Sequence, residues 1–145
     1  MVEVLNEPDF IKYVADRGVR TPEDATRYMN ENMLPSYAKF GFGFYVVELK
    51  ESNERVGICG LIKRDTLDDV DIGYSTLRAY WGRGYAYEAA SALMEHGRRV
   101  HGLPRIVGIT SPDNEKSMKV LEKLGLRFDR MIQLPNSKSE VKLFT

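Results

Sequence analysis

Tyr74-Ser75-Thr76-Leu77-Arg78-Ala79-Tyr80-Trp81-Gly82-Arg83-Gly84-Tyr85-Ala86-Tyr87-Glu88 is the stretch that decides how this chain folds. On its N-terminal side Val70 to Thr76 alternates as a half-buried strand does. On its C-terminal side Ala86, Ala89, Ala90, Leu93, Met94 and Val100 recur at helical spacing from Gly84 to about His101. A strand therefore runs through a glycine-bearing loop into a helix. Loop glycines let backbone N–H groups turn toward a ligand with no Cβ in the way, and the helix N-terminus adds partial positive charge. This suits a phosphate or pyrophosphate, to which Arg78 and Arg83 can add charge-assisted hydrogen bonds. The same residues also allow a plainer reading, in which Gly82 and Gly84 only make a tight turn. The Lys-Ser/Thr pair of a Walker A loop is missing, and so is the G-x-G-x-x-G fingerprint.

Working upstream, three strands are expected in quick succession. Phe42 to Leu49 is aromatic and β-branched, Ser52-Asn53 turns, Arg55 to Lys63 carries Val56, Ile58, Leu61 and Ile62, and Asp65 to Asp68 turns into Val70 to Thr76. Before them lie two expected helices. One is opened by Asn6-Glu7-Pro8, carries Phe10, Ile11 and Val14, and closes at Gly18; the other is capped by Thr21 with Pro22 and Asp24, and is stopped by Pro35. Downstream, Arg105 to Thr110 reads as a strand, Asp113 to Leu124 as an amphipathic helix ended by Gly125, and Leu126 to Leu134 and Glu140 to Phe144 as strands. The expected order is ααβββαβαββ. A meander feeding a β-α-β crossover argues an α+β fold, a mixed and mostly antiparallel sheet with helices on both faces. No repeat or linker interrupts the chain, so residues 1–145 are expected to form a single domain.

Composition narrows the function. The 145 residues carry 21 Lys+Arg against 21 Asp+Glu, a balance unlike that of a polybasic nucleic-acid binder. One cysteine rules out an internal disulfide framework and a Cys-rich metal site. The apolar runs are too short to span a membrane, and the acidic start MVEVLNEPDF lacks the basic residues of a signal peptide, so a cytoplasmic protein is expected. The zero net charge hides an asymmetry. Residues 1–77 hold 9 basic and 14 acidic side chains, whereas residues 78–145 hold 12 and 7. On its own this hints only at where an anionic ligand sits.

With W-G-R-G-Y-A-Y-E-A at residues 81–89, D-I-G-Y upstream and S-P-D-N-E-K-S-M-K-V-L-E-K-L-G-L-R-F downstream, the chain resembles the GNAT superfamily of acetyl-CoA-dependent N-acetyltransferases over roughly residues 42–134. Within it the look is closest to the ribosomal-protein-alanine acetyltransferases. The resemblance implies the GNAT fold and acetyl-CoA as acyl donor, with no metal. It also implies direct transfer to a primary amine, either a protein N-terminus or a small molecule, so that the acidic first half is expected to frame a cationic acceptor and the basic second half the polyanionic cofactor. It assigns the cofactor to Ser75, Thr76 and Leu77 at the strand's end, to the loop Trp81, Gly82, Arg83, Gly84, Tyr85 and Ala86, and to Asn114, which otherwise reads as a helix cap. Two departures stand out. Trp81 replaces the family's frequent Gln or Arg, and the family's opening strand is missing, so that either the chain is a shortened form or another element covers that sheet edge; an uncovered edge would invite pairing with a second chain into a homodimer.

Acetyl transfer needs an acid for the thiolate, a donor for the oxyanion and a base for the amine. The position where many members carry a tyrosine is Leu121 here; the resemblance to the related branch offers Ser117 as the acid, although an early-helix serine can also simply bond a backbone carbonyl. For the base, Asp69 and Asp71 lie two apart on a strand. They point to one face, where mutual repulsion would raise one pKa, or where both are merely solvated; a water chain can replace either. Cys59 reads as a buried small hydrophobe, and His96 and His101 miss metal-ligand spacing. Lys116, Lys119 and Lys123 form a solvated helix face or one that meets the adenosine phosphate. A non-catalytic acyl-CoA-binding or sensory module on the same fold is the alternative function. The residues that choose an acceptor are expected in the N-terminal helices and in the 135–139 loop.

Overall fold

Six strands join in the order β1-β2-β3-β4-β6-β5 in the computed structural model, which describes residues 1–135 and 137–145. They are β1 (Phe44–Glu48), β2 (Arg55–Ile62), β3 (Val70–Thr76), β4 (Ile106–Thr110), β5 (Phe128–Gln133) and β6 (Glu140–Phe144). Every neighbouring pair is antiparallel except β3 and β4. A parallel pair cannot be joined by a tight turn, and α5 (Tyr85–His101) makes the crossover. The mixed α+β sheet expected from the sequence is therefore the one observed.

The sheet buries both faces. On one, Cys59 and Leu61 of β2, Ile72 of β3 and Ile106 of β4 pack against Ala90 and Met94 of α5 and Leu121 of α6 (Glu115–Lys123). Gly108 lets α6 come down onto β4, since a Cβ there would collide with the Leu121 side chain. On the other face, Ile58 packs with Val4 and Met33 from the N-terminal helices, and Phe44 joins them.

Those helices number four rather than two. The single helix expected from Asn6 to Gly18 is split into α1 (Val2–Asn6) and α2 (Pro8–Tyr13). Glu7 between them is extended, at φ −57° and ψ 133°, because the residue before a proline is pushed out of the helical region. Asn6 ends α1 instead of capping a helix, and its amide donates to the carbonyls of Val2 and Val19. Gly18 lies beyond α2, in a loop where its N–H donates to Asp16. The second helix, α3 (Pro22–Asn32), starts as expected: Thr21 accepts from the Asp24 N–H while Asp24 accepts from that of Thr21. Pro35 does not end the helical region. It sits in the first turn of α4 (Leu34–Phe40), where no N–H is required of it, so the observed order is ααααβββαβαββ.

Among the described residues no strand precedes β1, whose outer edge is unpaired and whose Val46 is 56% exposed. No helix of the described residues is long and apolar enough to cross a membrane.

Candidate active site

The parallel pairing of β3 with β4 lasts for only two residue pairs, Val70 with Ile106 and Asp71 with Val107. β3 continues to Thr76 and β4 to Thr110, so the strands splay. The β4-facing backbone groups of β3 beyond Asp71 are thereby left without a strand partner.

At the end of β3 the chain is held open by specific bonds. The Leu77 N–H donates to the Val56 carbonyl at 2.8 Å, and a 3-10 turn follows at Arg78–Tyr80. The Trp81 indole N–H returns to the Thr76 carbonyl at 2.8 Å. Gly82 and Gly84 then adopt φ of +75° and +80°, in the left-handed region that a Cβ disfavours. α5 begins immediately after, with no side-chain cap, so the first-turn N–H groups have neither intrahelical acceptors nor a capping side chain. The arrangement is an anion cradle built from main chain, closed on its rim by the Trp81 ring.

This loop forms one wall of a cleft of about 610 Å³. Ser75, Thr76, Trp81, Gly82, Gly84, Tyr85, Ala86, Asn114 and Ser117 all line it, so the structure brings together most of the residues singled out in the sequence. Leu77 and Arg83 do not line it: Leu77 packs against the cluster of Val4, Met33 and Ile58, and the Arg83 guanidinium lies over the Tyr80 ring. Lys116, Lys119 and Lys123 line the facing wall on α6, Lys116 Nζ lying 3.9 Å from the centroid of the Trp81 ring and Lys123 Nζ 4.5 Å from that of Tyr87. The lysine run is thus a cleft face, not merely a solvated one.

A second cavity of about 350 Å³ opens on the other side of the splay. Tyr74, Ser75, Asn114 and Ser117 border both spaces, as do Phe10, Tyr13 and Val14 at the end of α2. The two spaces meet where α6 begins. Asn114 caps α6 by accepting from the Ser117 N–H at 3.3 Å, which makes the capping reading of Asn114 a geometric fact while its side chain also borders both spaces. The Tyr74 hydroxyl lies 3.0 Å from the Ser117 carbonyl oxygen, to which it can donate, and 3.2 Å from Ser117 Oγ. Burial pushes the Tyr74 phenol up to about 12, the bond with Ser117 acting the other way, so it stays protonated. Leu121, by contrast, is 1% exposed and belongs to the core.

The aspartate pair does not form as expected. Asp69 lies just before β3 and is tied to Arg105 at 3.2 Å, away from both spaces. Asp71 is inside the strand, only 1% exposed, and lines the second cavity. Its carboxylate bonds the Arg64 Nε at 2.9 Å. Loss of water raises its pKa above the ordinary carboxylate range, against the pull of Arg64; Asp69 has no part in the shift. The polar sheet face inferred from the two-residue spacing is, at Asp71, a buried ion pair.

Sequence reasoning missed three things. Strand alternation over Val70 to Thr76 assigns Tyr74 no chemical role, although the aromatic residue of D-I-G-Y at the splay is a usable signal. Arg64 reaches Asp71 from beyond the end of β2, seven residues earlier, which no local pattern announces. The α2 residues enter the site through tertiary packing. Of the acidic residues in the N-terminal half, only Asp9 and Asp71 border these spaces, so the acidic frame expected around a cationic acceptor is not built. Asn136 of the 135–139 loop lies outside the described residues. Cys59 is buried, its thiol pushed up to about 12, which fits a packing residue. Among the described residues no group of His, Cys, Asp and Glu is arranged to hold a metal.

The acetyltransferase (GNAT) domain family model matches residues 1–127. The uncharacterized N-acetyltransferase YnaD of Bacillus subtilis is 31% identical over 125 residues, covering 86% of this chain and 70% of YnaD. A GNAT-family acetyltransferase structure from Bacillus anthracis superposes with a TM-score of 0.79 at 28% identity, over 99% of this chain and 84% of its own. RimL, a ribosomal L7/L12 α-N-protein acetyltransferase solved in complex with coenzyme A, shares the fold with a TM-score of 0.70 at 20% identity, over 86% of this chain and 72% of its own.

Proposed function

The chain belongs to the acetyltransferase (GNAT) domain family, a class of acetyl-CoA-dependent transferases, and from that premise we propose that it moves the acetyl group of acetyl-CoA to a primary amine by direct attack in a ternary complex. The observation that carries this reading is the splay of β3 from β4, which lets a cleft with a main-chain anion cradle meet a second cavity at Ser117. In this reading residues 1–145 act as one domain. The pyrophosphate sits on the N–H groups of Gly82 to Ala86, and the lysines of α6 face the outer phosphate. Ser75, Thr76 and Asn114 take the pantetheine amides, as the coenzyme A held by RimL, a protein of the same fold, makes reasonable.

The amine enters from the cavity and attacks the thioester carbonyl carbon. The new C–N bond forms as the carbonyl becomes an oxyanion, which the unpaired N–H groups of β3 can receive. Asp71, desolvated and therefore more basic than an exposed carboxylate, takes the amine proton. The C–S bond then breaks. When Tyr74 donates to Ser117 Oγ, the serine hydroxyl can pass its proton to the departing sulfur and recover one from solvent, to which Asp71 releases the amine proton, so that both groups return to their starting state. Asp69, held by Arg105 at a distance from both spaces, has no role here.

Two measurements on the intact chain test the reading. Acetyl-CoA at about a hundred times its Kd should stabilise the protein by about 2.7 kcal/mol. Thiol should then be released when a panel of primary amines is added. Protection without thiol release from any amine would favour a non-catalytic acyl-CoA-binding module, and no protection would remove the cofactor assignment altogether.

A further inference from the structure

We infer that the acceptor is a small primary amine that also carries a carboxylate, an α-amino acid with an apolar side chain, and that Arg17 together with Arg64 recognises the acid group. The inference rests on the acetyltransferase reading and adds the acceptor's class. Three charged side chains line the acceptor cavity among the described residues: Arg17, Arg64 and Asp71. Asp71 and Arg64 neutralise one another through the 2.9 Å bond between Nε and the carboxylate, with a second contact of 3.5 Å from Nη2. Among the described residues that leaves Nη1 of Arg64 without a partner. Arg17 makes no ion pair among the described residues, so its whole charge is unmatched. The cavity wall therefore carries one net positive charge.

That balance discriminates between acceptors. A polyamine gives up one proton to attack but keeps its other ammonium groups, and these would enter a space already positive. Its one carboxylate is spoken for. A simple alkylamine leaves the exposed Arg17 charge to water alone and gains nothing from it. An amine with an adjacent carboxylate brings the matching charge, and a guanidinium accepts a carboxylate through paired N–H donors in fixed geometry. Beside neutral polar groups such as Asn32, Thr110 and Ser111, the wall has an apolar and aromatic part lined by Phe10, Tyr28, Phe44 and Ile58, which suits an apolar side chain on the same molecule. At about 350 Å³ the cavity sits at the small end of the range for ligand pockets, roughly 300–1,000 Å³.

The test uses three matched acceptors, phenylalanine, phenylalaninamide and phenethylamine, with spermidine as a polycation. CoA-thiol release is measured for each at saturating acetyl-CoA. Direct binding of N-acetylphenylalanine and of its amide to the CoA-loaded protein supplies a readout that needs no turnover. The acid should exceed both its amide and the decarboxylated amine at least tenfold in kcat/KM, and N-acetylphenylalanine should bind at least tenfold tighter than its amide. Arg17→Gln should compress the acid-to-amide ratio toward one. Equal use of acid and amide, a preference for spermidine, or a ratio unmoved by Arg17→Gln overturns the inference and leaves the acetyltransferase reading standing. If CoA loads but neither acetylated ligand binds, the acceptor class is wrong; if CoA itself fails to load, the underlying reading has failed instead.

Discussion

On one side of the wall shared by Tyr74, Asn114 and Ser117, the cleft presents main-chain N–H groups from a glycine loop and three exposed lysines. On the other, the cavity presents a buried carboxylate bonded to a guanidinium and a lining of aromatic rings. The first region places positive charge by backbone conformation and leaves its side chains in water. The second places charge by desolvation, where each group matters because nothing else can replace it. Backbone-built and side-chain-built sites should therefore fail in different ways, one gradually and the other abruptly.

The sharpest break in the contrast is Asp71→Asn. The isosteric amide removes the proposed base while keeping a hydrogen-bonding partner for Arg64, and kcat should fall by about 10²–10⁴ with the KM for acetyl-CoA nearly unchanged. The wild-type acid limb of kcat/KM should lie above the ordinary aspartate value of 3.8 and vanish in the variant. Stability carries the same signature. Because the folded chain holds this proton more tightly than the unfolded chain, the Asp71 contribution is greatest below 3.8 and is lost as pH rises through the raised native pKa. Denaturation of both proteins across that interval measures it.

A smaller effect is expected at Gly84→Ala. Open space surrounds the new Cβ, so the cost comes from φ of +80° alone, about 1–2 kcal/mol. Relaxation of the loop should raise the KM for acetyl-CoA about tenfold while kcat changes little. A fall in kcat as large as that of Asp71→Asn would blur the distinction between the two regions. The mildest change is Lys116→Gln. Lys116 is an exposed residue, so the KM for acetyl-CoA should rise only about two- to fivefold at low ionic strength, and the difference should shrink as salt approaches about 0.5 M.

Much of the cleft was legible before any coordinates, because it is local. Strand alternation, two loop glycines and helical spacing all fall within Val70 to His101, and Thr21 with Asp24 announced a helix start. The cavity was far less legible because it is assembled from distant parts. Tyr74 and Ser117 meet across 43 residues, and Arg64 neutralises Asp71 across a turn. Spacing told which way the Asp71 side chain points, but not that helices would cover it. Proline was the other source of error. Pro35 forbids a helix interior but suits a first turn, so the residue that reads as a stop begins α4.

The two residue pairs between β3 and β4 also make a mechanical statement. A seam this short joins β1-β2-β3 to β4-β6-β5, and helix packing, more than hydrogen bonding between strands, holds the halves in register there. A pantetheine arm laid into the splay would act as a seventh, removable strand. Loading the donor would then stiffen the protein across its weakest line, and amide hydrogen exchange along β3 and β4 would report occupancy as directly as turnover does.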